Sequence, residues 1–235
     1  GNARAYESVT VSDNVTEYIK RLYFEDGDQV KKGDLLLELE TAEEKAQLAE
    51  AKARLLEANQ HYARIKNLLK RDFSAQSEYD MQKANVESAK AQVSQIEAII
   101  ADRKITAPFD GVLGFRLVSE GTLVESGDNI ATLDMIAPLR IDFTVPEHYL
   151  QKLHKGQPFR ASTVAYPAKI FKGKIETINA RIDEATRAVT LRGTISNKNL
   201  LLKPGMLLHI VLKLGEQEAW VLPEQALQAS KQKRY

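Results

Sequence analysis

The chain of 235 residues contains no cysteine, which excludes disulfides, thiolate metal sites and cysteine nucleophiles. No run of about 18 apolar residues occurs, so no transmembrane helix is predicted. Aromatic residues make up 7% of the chain, too few for a broad aromatic binding surface. The 33 Lys and Arg residues nearly balance 32 Asp and Glu, whereas nucleic-acid-binding domains carry a clear basic excess. These absences argue against a thiol enzyme and a nucleic-acid partner.

Glycine and proline are also absent from residues 42–103, where the strong helix formers Ala, Glu, Lys, Gln and Leu dominate. The segment Thr41–Glu44 reads TAEE, a capping-box pattern. Two heptad stripes predict two antiparallel helices of about 28 residues, each roughly 40 Å long, connected through residues 70–80. The predicted inner stripes are Ala42, Ala46, Ala49, Ala53, Leu56, Gln60 and Ala63 on the first helix, and Tyr79, Gln82, Val86, Ala89, Val93, Ile96 and Ile100 on the second.

A second apolar row accompanies each predicted stripe. One interpretation is a wider seam inside the hairpin; the other is self-packing, in which hairpins of several copies lie side by side. Ser74 or Ser77 is expected to cap the second helix. The second rows are Leu48, Leu55, Tyr62 and Leu69 on the first helix, and Ala84, Ala91 and Ala98 on the second.

A thirteen-residue phrase occurs twice: GDQVKKGDLLLEL at Gly27–Leu39 and GTLVESGDNIATL at Gly121–Leu133. Each copy offers short strands and Gly-containing turns, but one copy alone cannot bury its apolar face. The two copies are therefore predicted to pair as one small β-sandwich, with the helical hairpin inserted between them. The structural glycines of this sandwich are predicted to be Gly27, Gly33, Gly111, Gly121 and Gly127.

Residues 138–215 contain short β-like runs punctuated by Pro, Gly and Asn, which is typical of a small β-barrel or sandwich. Residues 146–156 predict a short helix between strands. Within the segment DEATRAV, Arg187 is expected to pair with Asp183 or Glu184 in a loop. The remaining residues, 216–235, begin as a further strand.

No group of side chains suggests catalysis. The four histidines are scattered through different predicted elements and do not show metal-ligand spacing. The adjacent acids Glu43 and Glu44 would point in different directions on a helix, and no phosphate-binding or nucleophile motif occurs. The sequence predicts no enzyme, no catalytic residue, no metal and no cofactor.

Ordered stretches of the chain resemble the periplasmic adaptor subunits (membrane fusion proteins, HlyD-like family) of Gram-negative tripartite efflux pumps. The fit is best to pumps of the resistance-nodulation-division type. The stretches are GDQVKKGDLLLEL, ITAPFDGVLG with EGTLVESGD, RIDEATRAVTLRGTI, LLKPGM and, more weakly, RIKNLLKRDFSAQSEYD.

The resemblance implies an elongated, multi-domain α+β fold. An antiparallel coiled-coil α-hairpin would be inserted in a lipoyl-like β-sandwich, followed by a small β-barrel and the start of a membrane-proximal β domain. The implied bounds are 10–40 and 104–135 for the lipoyl-like (biotinyl-carrier-like) sandwich, 41–103 for the hairpin, 1–9 and 136–215 for the barrel, and 216–235 for the incomplete last domain.

The resemblance also implies partners and a location. The adaptor would link an inner-membrane transporter to an outer-membrane channel, assemble as a homo-hexameric ring, and lie in the periplasm. Attachment to the inner membrane would use an anchor preceding Gly1, and hinges are expected near Thr41, Arg103 and Ala137–Pro138. The family's tip pattern matches Arg64 and Leu68, with Ala75 where the pattern has Ser. The implied channel contacts are Arg64, Leu68, Arg71, Phe73, Ser74 and Ala75.

Three other readings remain open. The adaptor could serve an ATP-driven or type I secretion exporter. The repeated phrase also resembles half of a lipoyl or biotinyl carrier, in which case Lys45 would be the modified residue. A coiled-coil scaffold is the third reading, but it leaves the duplicated β phrase without a purpose.

Overall fold

A computed structural model describes residues 1–71, 73–215, 229–230 and 233–234. Two compact units are present: Tyr6–Met135, and Gly1–Ala5 together with the residues from Ile136 onward. The predicted membrane-proximal start at 216–235 lies outside the described residues apart from two short strands. The strands are β1 (Asn2–Ser12), β2 (Glu17–Leu22), β3 (Gln29–Val30), β4 (Leu35–Leu39), β5 (Lys104–Thr106), β6 (Gly111–Leu113), β7 (Leu123–Val124), β8 (Asn129–Pro146), β9 (Pro158–Ser162), β10 (Phe171–Asp183), β11 (Ala188–Ile195), β12 (His209–Leu212), β13 (Ala229–Ser230) and β14 (Lys233–Arg234).

The β part of the first unit is built from both halves of the repeat. One sheet has the order β5-β4-β2-β7, so its two central strands come from residues 17–39 and its two edge strands from residues 104–124. On the other side, β6 lies between β3 and β8. Both halves fill one core, as the repeat predicts. The buried members are Val11, Ile19, Phe24, Leu36, Leu37, Leu39, Ala107, Leu113, Val124, Ile130, Ala131 and Leu133.

Two long helices occupy the gap between the halves: α1 (Ala42–Leu69) and α2 (Gln76–Asp102). They run antiparallel, because the start of α1 contacts the end of α2 through Glu44 and Arg103, while Tyr62 meets Tyr79 near the other end. The seam of α2 is the predicted stripe from Tyr79 to Ile100. Its centre is a small cluster of Ala51, Val93 and Ile96, with Leu48, Leu55 and Ile100 packed against it.

The predicted inner stripe of α1 is wrong. Its alanines are exposed, and Leu56 within it is 60% exposed. The face that contacts α2 instead contains the row predicted as the second one, which alternates with Ala51, Ala58 and Ile65. Both rows repeat every seven residues, and the more apolar row is the one that is buried. The α1 seam consists of Glu44, Leu48, Ala51, Leu55, Ala58, Tyr62, Ile65 and Leu69.

The predicted helix caps are also wrong in detail. Thr41 precedes α1, but its hydroxyl is buried without a hydrogen-bond partner among the described residues. Glu44 turns away from the capping box because Arg103 binds its carboxylate. At α2 the N-cap is Ala75, and the Ser74 hydroxyl donates to the side chain of Glu78 at 2.9 Å.

The second unit is a closed barrel. Its strand order is β12-β9-β10-β11-β8, and β1 pairs with β8. Closure comes from the first residues of the chain: Gly1 exchanges two 2.8 Å backbone hydrogen bonds with Leu208, and the amide of Ala3 donates to Met206. The ring of Phe159 fills the centre, where a Cβ at Gly173 or Gly193 would lie 2.3 Å from it. A 3₁₀ helix, η1 (Glu147–Lys152), follows β8, close to the predicted helix.

The loop between β10 and β11 differs from its prediction. The carboxylate of Asp183 accepts hydrogen bonds from the amides of Ala185 and Thr186 and from the Thr186 hydroxyl. Arg187 contributes its backbone amide, which donates to the carbonyl of Asp183 at 2.8 Å. These local hydrogen bonds, led by those from Thr186, hold the pKa of Asp183 below its usual value. The predicted side-chain pair of Arg187 with Asp183 is therefore replaced by a backbone-closed turn.

The phase of the α1 seam can be tested with two neighbouring leucines. We expect Leu55→Ala to lower the free energy of unfolding by about 1–2 kcal/mol, because Leu55 packs against the seam cluster. Leu56→Ala makes the same chemical change one position on, at an exposed side chain, and should stay within about 0.5 kcal/mol of the parent. Urea unfolding followed by circular dichroism measures both; a larger loss for Leu56→Ala would reverse the assigned phase.

Candidate functional site

The glycines of the repeat lie in tight turns. Gly27, Gly33, Gly121 and Gly127 have φ between +80° and +96°, which other residues adopt only with strain. In three of these turns an Asp follows the glycine, and its carboxylate accepts a hydrogen bond from the backbone amide three residues earlier. These residues are Asp28, Asp34 and Asp128, at distances of 2.7, 2.8 and 2.9 Å. The fifth glycine, Gly111, serves close strand approach, since a Cβ there would lie 2.8 Å from the Asp134 carbonyl.

The two halves exchange equivalent hydrogen bonds. The amide of Ile19 donates to the carbonyl of Thr122, and the amide of Leu113 donates to the carbonyl of Asp28, both at 2.9 Å. Likewise the Gly33 amide binds the Ala107 carbonyl, and the Gly127 amide binds the Asp13 carbonyl, both at 2.8 Å. The two bonds of each pair join equivalent positions of the repeat. The donors are 94 positions apart in sequence, and so are the acceptors, which is also the separation of Gly27 from Gly121. The module thus has internal two-fold symmetry, and each half completes the other.

The same symmetry organises an open groove of the module, with a volume of about 740 Å³. The amide of Leu22 donates to the Glu120 carboxylate at 2.9 Å, and the amide of Arg116 donates to the Asp26 carboxylate at 2.7 Å. These two contacts are again related by the two-fold repeat. In each contact, a carboxylate of one half of the repeat accepts a hydrogen bond from a backbone amide of the other half, so the two contacts connect the walls of the groove.

A single ion pair joins the two helix ends at the root of the hairpin. Arg103 donates to one Glu44 oxygen from Nε at 3.1 Å and from a terminal nitrogen at 2.8 Å, and both side chains are about 85% buried. Burial raises the pKa of Glu44, but the hydrogen bonds from Arg103, a backbone hydrogen bond and the charge of Arg103 together outweigh it, and the pKa lies below its ordinary value. The Leu39 amide donates to the Arg103 carbonyl at 2.9 Å. The ion pair therefore connects the two helices at the root, and the backbone hydrogen bond connects the root to the β-module.

The predicted channel-contact residues lie together at the far end of the hairpin. Leu68 is 37% exposed and Phe73 is 78% exposed. The Leu68 carbonyl accepts the amides of Arg71 and Phe73, each at 3.0 Å, which closes the end of α1. The remaining predicted members are exposed Arg64, Arg71 and Ala75, and half-buried Ser74. The end of the hairpin thus presents an exposed aromatic ring and two exposed arginines.

Close to that end, two phenols join the helices. The hydroxyl oxygens of Tyr62 and Tyr79 are 2.7 Å apart, and their ring centres are 5.3 Å apart. This hydrogen bond raises the pKa of Tyr62. The Lys66 ammonium lies 5.7 Å above the Tyr62 ring. Sequence analysis left the row of Tyr62 open between a wider seam inside the hairpin and self-packing between hairpins. The structure places all four members of that row, Leu48, Leu55, Tyr62 and Leu69, in the seam with α2.

The barrel carries a charge cluster that sequence analysis missed. On β8, Asp142 binds Arg192 of β11 through both oxygens, at 2.7 and 2.9 Å, and Arg4 of β1 at 3.2 Å. Arg192 above all, and then the neighbouring cations, holds the pKa of Asp142 below its usual range. Only the strand register reveals this cluster, because Arg192 lies directly opposite Asp142 although 50 positions separate them.

The described part of the chain contains no group of three His, Asp or Glu side chains placed to hold a metal ion. None of its helices is long and apolar enough to cross a membrane.

Family comparison agrees with this architecture. Residues 7–135 match the model described as "RND MFP, barrel-sandwich hybrid domain", and residues 139–216 match "CusB-like, beta-barrel domain". The chain therefore belongs to the RND-type membrane fusion proteins, the periplasmic adaptors of efflux pumps.

Curated relatives carry matching descriptions. The toluene efflux pump periplasmic linker protein TtgA of Pseudomonas putida is 31% identical, over 97% of this chain and 63% of its own length. The multidrug resistance protein MdtA of Escherichia coli is 30% identical, over 97% of this chain and 60% of its own length. This chain thus spans less than two-thirds of either relative.

Solved structures share the fold. A putative efflux transporter from Bacteroides eggerthii has a TM-score of 0.74 at 28% identity, covering 98% of this chain and 74% of that one. A MacA–MexA chimera containing the Pseudomonas aeruginosa MexA α-hairpin has a TM-score of 0.80 at 25% identity, covering 91% and 77%.

The ion pair at the hairpin root has a predictable pH dependence. Because folding lowers the pKa of Glu44, the pair stabilises the folded state above the unfolded pKa, and this stability is lost as the pH falls through the folded pKa. At pH 7, Glu44→Gln should cost up to about 1 kcal/mol. The difference in the free energy of unfolding between this variant and the parent should shrink as the pH falls below 4.5, the ordinary pKa of a Glu side chain. Urea titrations at several pH values measure this, with Glu43→Gln on the same helical turn as the control; a constant deficit would contradict the prediction.

Proposed function

We propose that this protein is the periplasmic adaptor that links an inner-membrane transporter to an outer-membrane channel in a tripartite export pump. The carrying observation is a β-module whose halves share one core while a helical hairpin of 28 and 27 residues leaves it between them. Such a hairpin extends about 40 Å from its root. It can place a docking surface far from the module that anchors it.

The tip is the proposed contact with the channel. Phe73 and Leu68 supply apolar area, and the Arg64 and Arg71 guanidinium groups can bind carbonyl or carboxylate oxygens. Phe and Arg are both enriched at protein interfaces relative to the rest of the surface. Ser74 and Ala75 are small enough to let a partner helix approach the backbone.

The hairpin sides are the proposed contact between copies. The seam buries Leu48, Leu55, Tyr62 and Leu69 within one chain, so it leaves the opposite face of α1 for a neighbour. That face is mostly alanine, which permits close approach of backbones, and it carries exposed Leu56. The proposed assembly is a ring of six adaptors that encloses an export path.

The mechanism requires no catalytic group. Adaptors in the ring transmit transporter motion to the channel through hinges near Thr41, Arg103 and Ala137–Pro138. The cargo class follows the relatives, whose names include toluene and multidrug efflux. Small organic compounds are thus the proposed cargo, proton-driven transport the proposed energy source, and the periplasm, attached to the inner membrane, the proposed location. An ATP-driven exporter is the alternative.

Channel docking is testable by single-site crosslinking, because residues 1–235 contribute no cysteine to compete with the introduced one. In the full-length protein in its native host, Phe73→Cys should crosslink to the outer-membrane channel, whereas Ala98→Cys, near the hairpin root, should not. Phe73→Asp should raise drug susceptibility about tenfold, because it places a charge in an apolar contact. Crosslinking from position 98 alone, or unchanged export by Phe73→Asp, would refute tip docking.

Assembly through the alanine face of α1 makes a separate prediction. We expect the double variant Ala49→Glu, Ala53→Glu to leave the free energy of unfolding within about 0.5 kcal/mol of the parent, since both residues are exposed. Its self-association should weaken about tenfold, because buried charges oppose close helix contact. Sedimentation velocity measures association. The control Ala49→Ser, Ala53→Ser keeps small side chains and should associate normally; equal association by the Glu variant would place the interface elsewhere.

A further inference from the structure

Two long strands run from one unit of the chain into the other. β1 (Asn2–Ser12) begins in the barrel and ends in the β-module, whereas β8 (Asn129–Pro146) begins in the β-module and ends in the barrel. The two strands pair with each other, and we name this pair the ribbon. A change of angle between the barrel and the β-module must therefore bend the ribbon.

The centre of β1 is exposed on both faces. Ala3 is buried in the barrel and Val11 in the core of the β-module, whereas Glu7–Thr10 between them are all exposed. A strand that covers a core would bury every second one of these side chains. Two paired strands without a core on either face are only marginally stable in water. The ribbon is therefore weakest between Ala3 and Val11.

The two-fold repeat shows what the ribbon lacks. At the hairpin root, Glu44 and Arg103 form the ion pair that connects the two chains leaving the β-module there. The positions related to them by the 94-residue repeat are Pro138 and Val9, which lie on the two strands of the ribbon. Proline and valine cannot form an ion pair. The ribbon therefore leaves the β-module without the contact that holds the hairpin root.

A buried side chain of the barrel holds β8 instead. The Asn197 amide group donates to the carbonyl of Ile136 on β8 at 2.8 Å and to the carbonyl of Leu202 at 2.9 Å. Its oxygen accepts from the Leu202 amide at 3.1 Å, and Asn197 is only 7% exposed. Asn197 has a φ of +42°, a left-handed conformation that Asn adopts more readily than most residues. Breaking these bonds would leave buried polar groups unpaired, so they fix the position of Ile136.

The same loop also holds β1. The Gly205 amide donates to the carbonyl of Ala3, and the Ala3 amide donates to the carbonyl of Met206, each at 2.9 Å. We name residues 197–206 the clasp. The clasp thus binds both strands of the ribbon at the barrel, β8 through the Asn197 side chain and β1 through its backbone.

We propose that the clasp fixes the barrel ends of the ribbon, so that bending between the two units is confined to Glu7–Thr10 and to the residues between Leu133 and Ile136. Asn197 is the positioning residue of this device. The inference deepens the proposed adaptor mechanism, on which its role in export rests. The hinge predicted near Ala137–Pro138 then lies on the module side of Ile136, because Asn197 holds Ile136 to the barrel.

The test measures distances between spin labels in the full-length protein by double electron–electron resonance. One label pair joins the two units, at Lys20→Cys of β2 and Lys172→Cys of β10, both exposed positions. Asn197→Ala should broaden this distance distribution about twofold, because Ile136 is released and the bend extends into the barrel. The matched control Asn199→Ala makes the same chemical change at an exposed side chain and should leave the width unchanged.

A second label pair lies within the barrel, at exposed Lys152→Cys and Lys172→Cys. Its distribution should keep the parent width in Asn197→Ala, because the clasp acts on the ribbon and not on the rest of the barrel. An unchanged distribution between the units would overturn the proposal. Equal broadening within the barrel, or in Asn199→Ala, would overturn it too, since Asn197 would then serve only the barrel's stability or the effect would not be specific to it.

Hydrogen exchange in the parent protein keeps the proposal testable if Asn197→Ala does not fold. The amides of Ala3, Leu202 and Gly205 should exchange at least about tenfold more slowly than the average amide of Glu7–Thr10, because the clasp holds them and the ribbon opens locally. Equal exchange would refute the clasp. None of these measurements involves a transporter or a channel, so a negative result leaves the adaptor function to the Phe73 crosslinking test.

Discussion

The structure depends on one constraint: each half of the duplicated β-module must complete the other. The buried side chains come from both halves, and paired hydrogen bonds such as Ile19 to Thr122 and Leu113 to Asp28 run in both directions between them. Neither half could bury its apolar face alone. A long insertion between the halves is tolerated because the antiparallel helices begin and end next to each other at the β-module. The Leu39–Arg103 backbone bond and the Glu44–Arg103 ion pair close that gap, so the chain entropy of a disordered insertion is avoided.

The hairpin meets two packing demands with one helix. On one side of α1, Leu48, Leu55 and Tyr62 alternate with small residues and interlock with α2. On the other side, alanines leave a smooth surface that is stable in a single chain because it exposes little apolar area. A leucine-rich outer face would bind neighbours more strongly but would expose a large apolar patch before assembly. The alanine face therefore fits the proposed contact between copies without exposing a large apolar patch in the single chain.

Sequence periodicity predicted the repeat, the shared core, both helices and the α2 seam, because each rests on local spacing. It failed on α1, because two rows of residues there have the same seven-residue period. Only contact with α2 determines which of the two rows is buried. It failed again where a distant partner outweighed a local motif: Arg103, 59 positions away, takes Glu44 from its capping box. The Asp142–Arg192 pair was likewise invisible, since it depends on strand register. The partner of the tip residues is not part of this chain, so their contact with a channel stays a prediction.

The charges of the described residues show how the surfaces of the two units differ. The acidic unit ties many carboxylates to backbone amides, as in the turns ending at Asp28, Asp34 and Asp128, so their charge also stabilises the fold. The barrel does the reverse, because Arg160 and Lys172 face each other at a cost to the sheet. The barrel surface at this pair therefore carries an electrostatic cost that an opposite charge beside the two cations would lower.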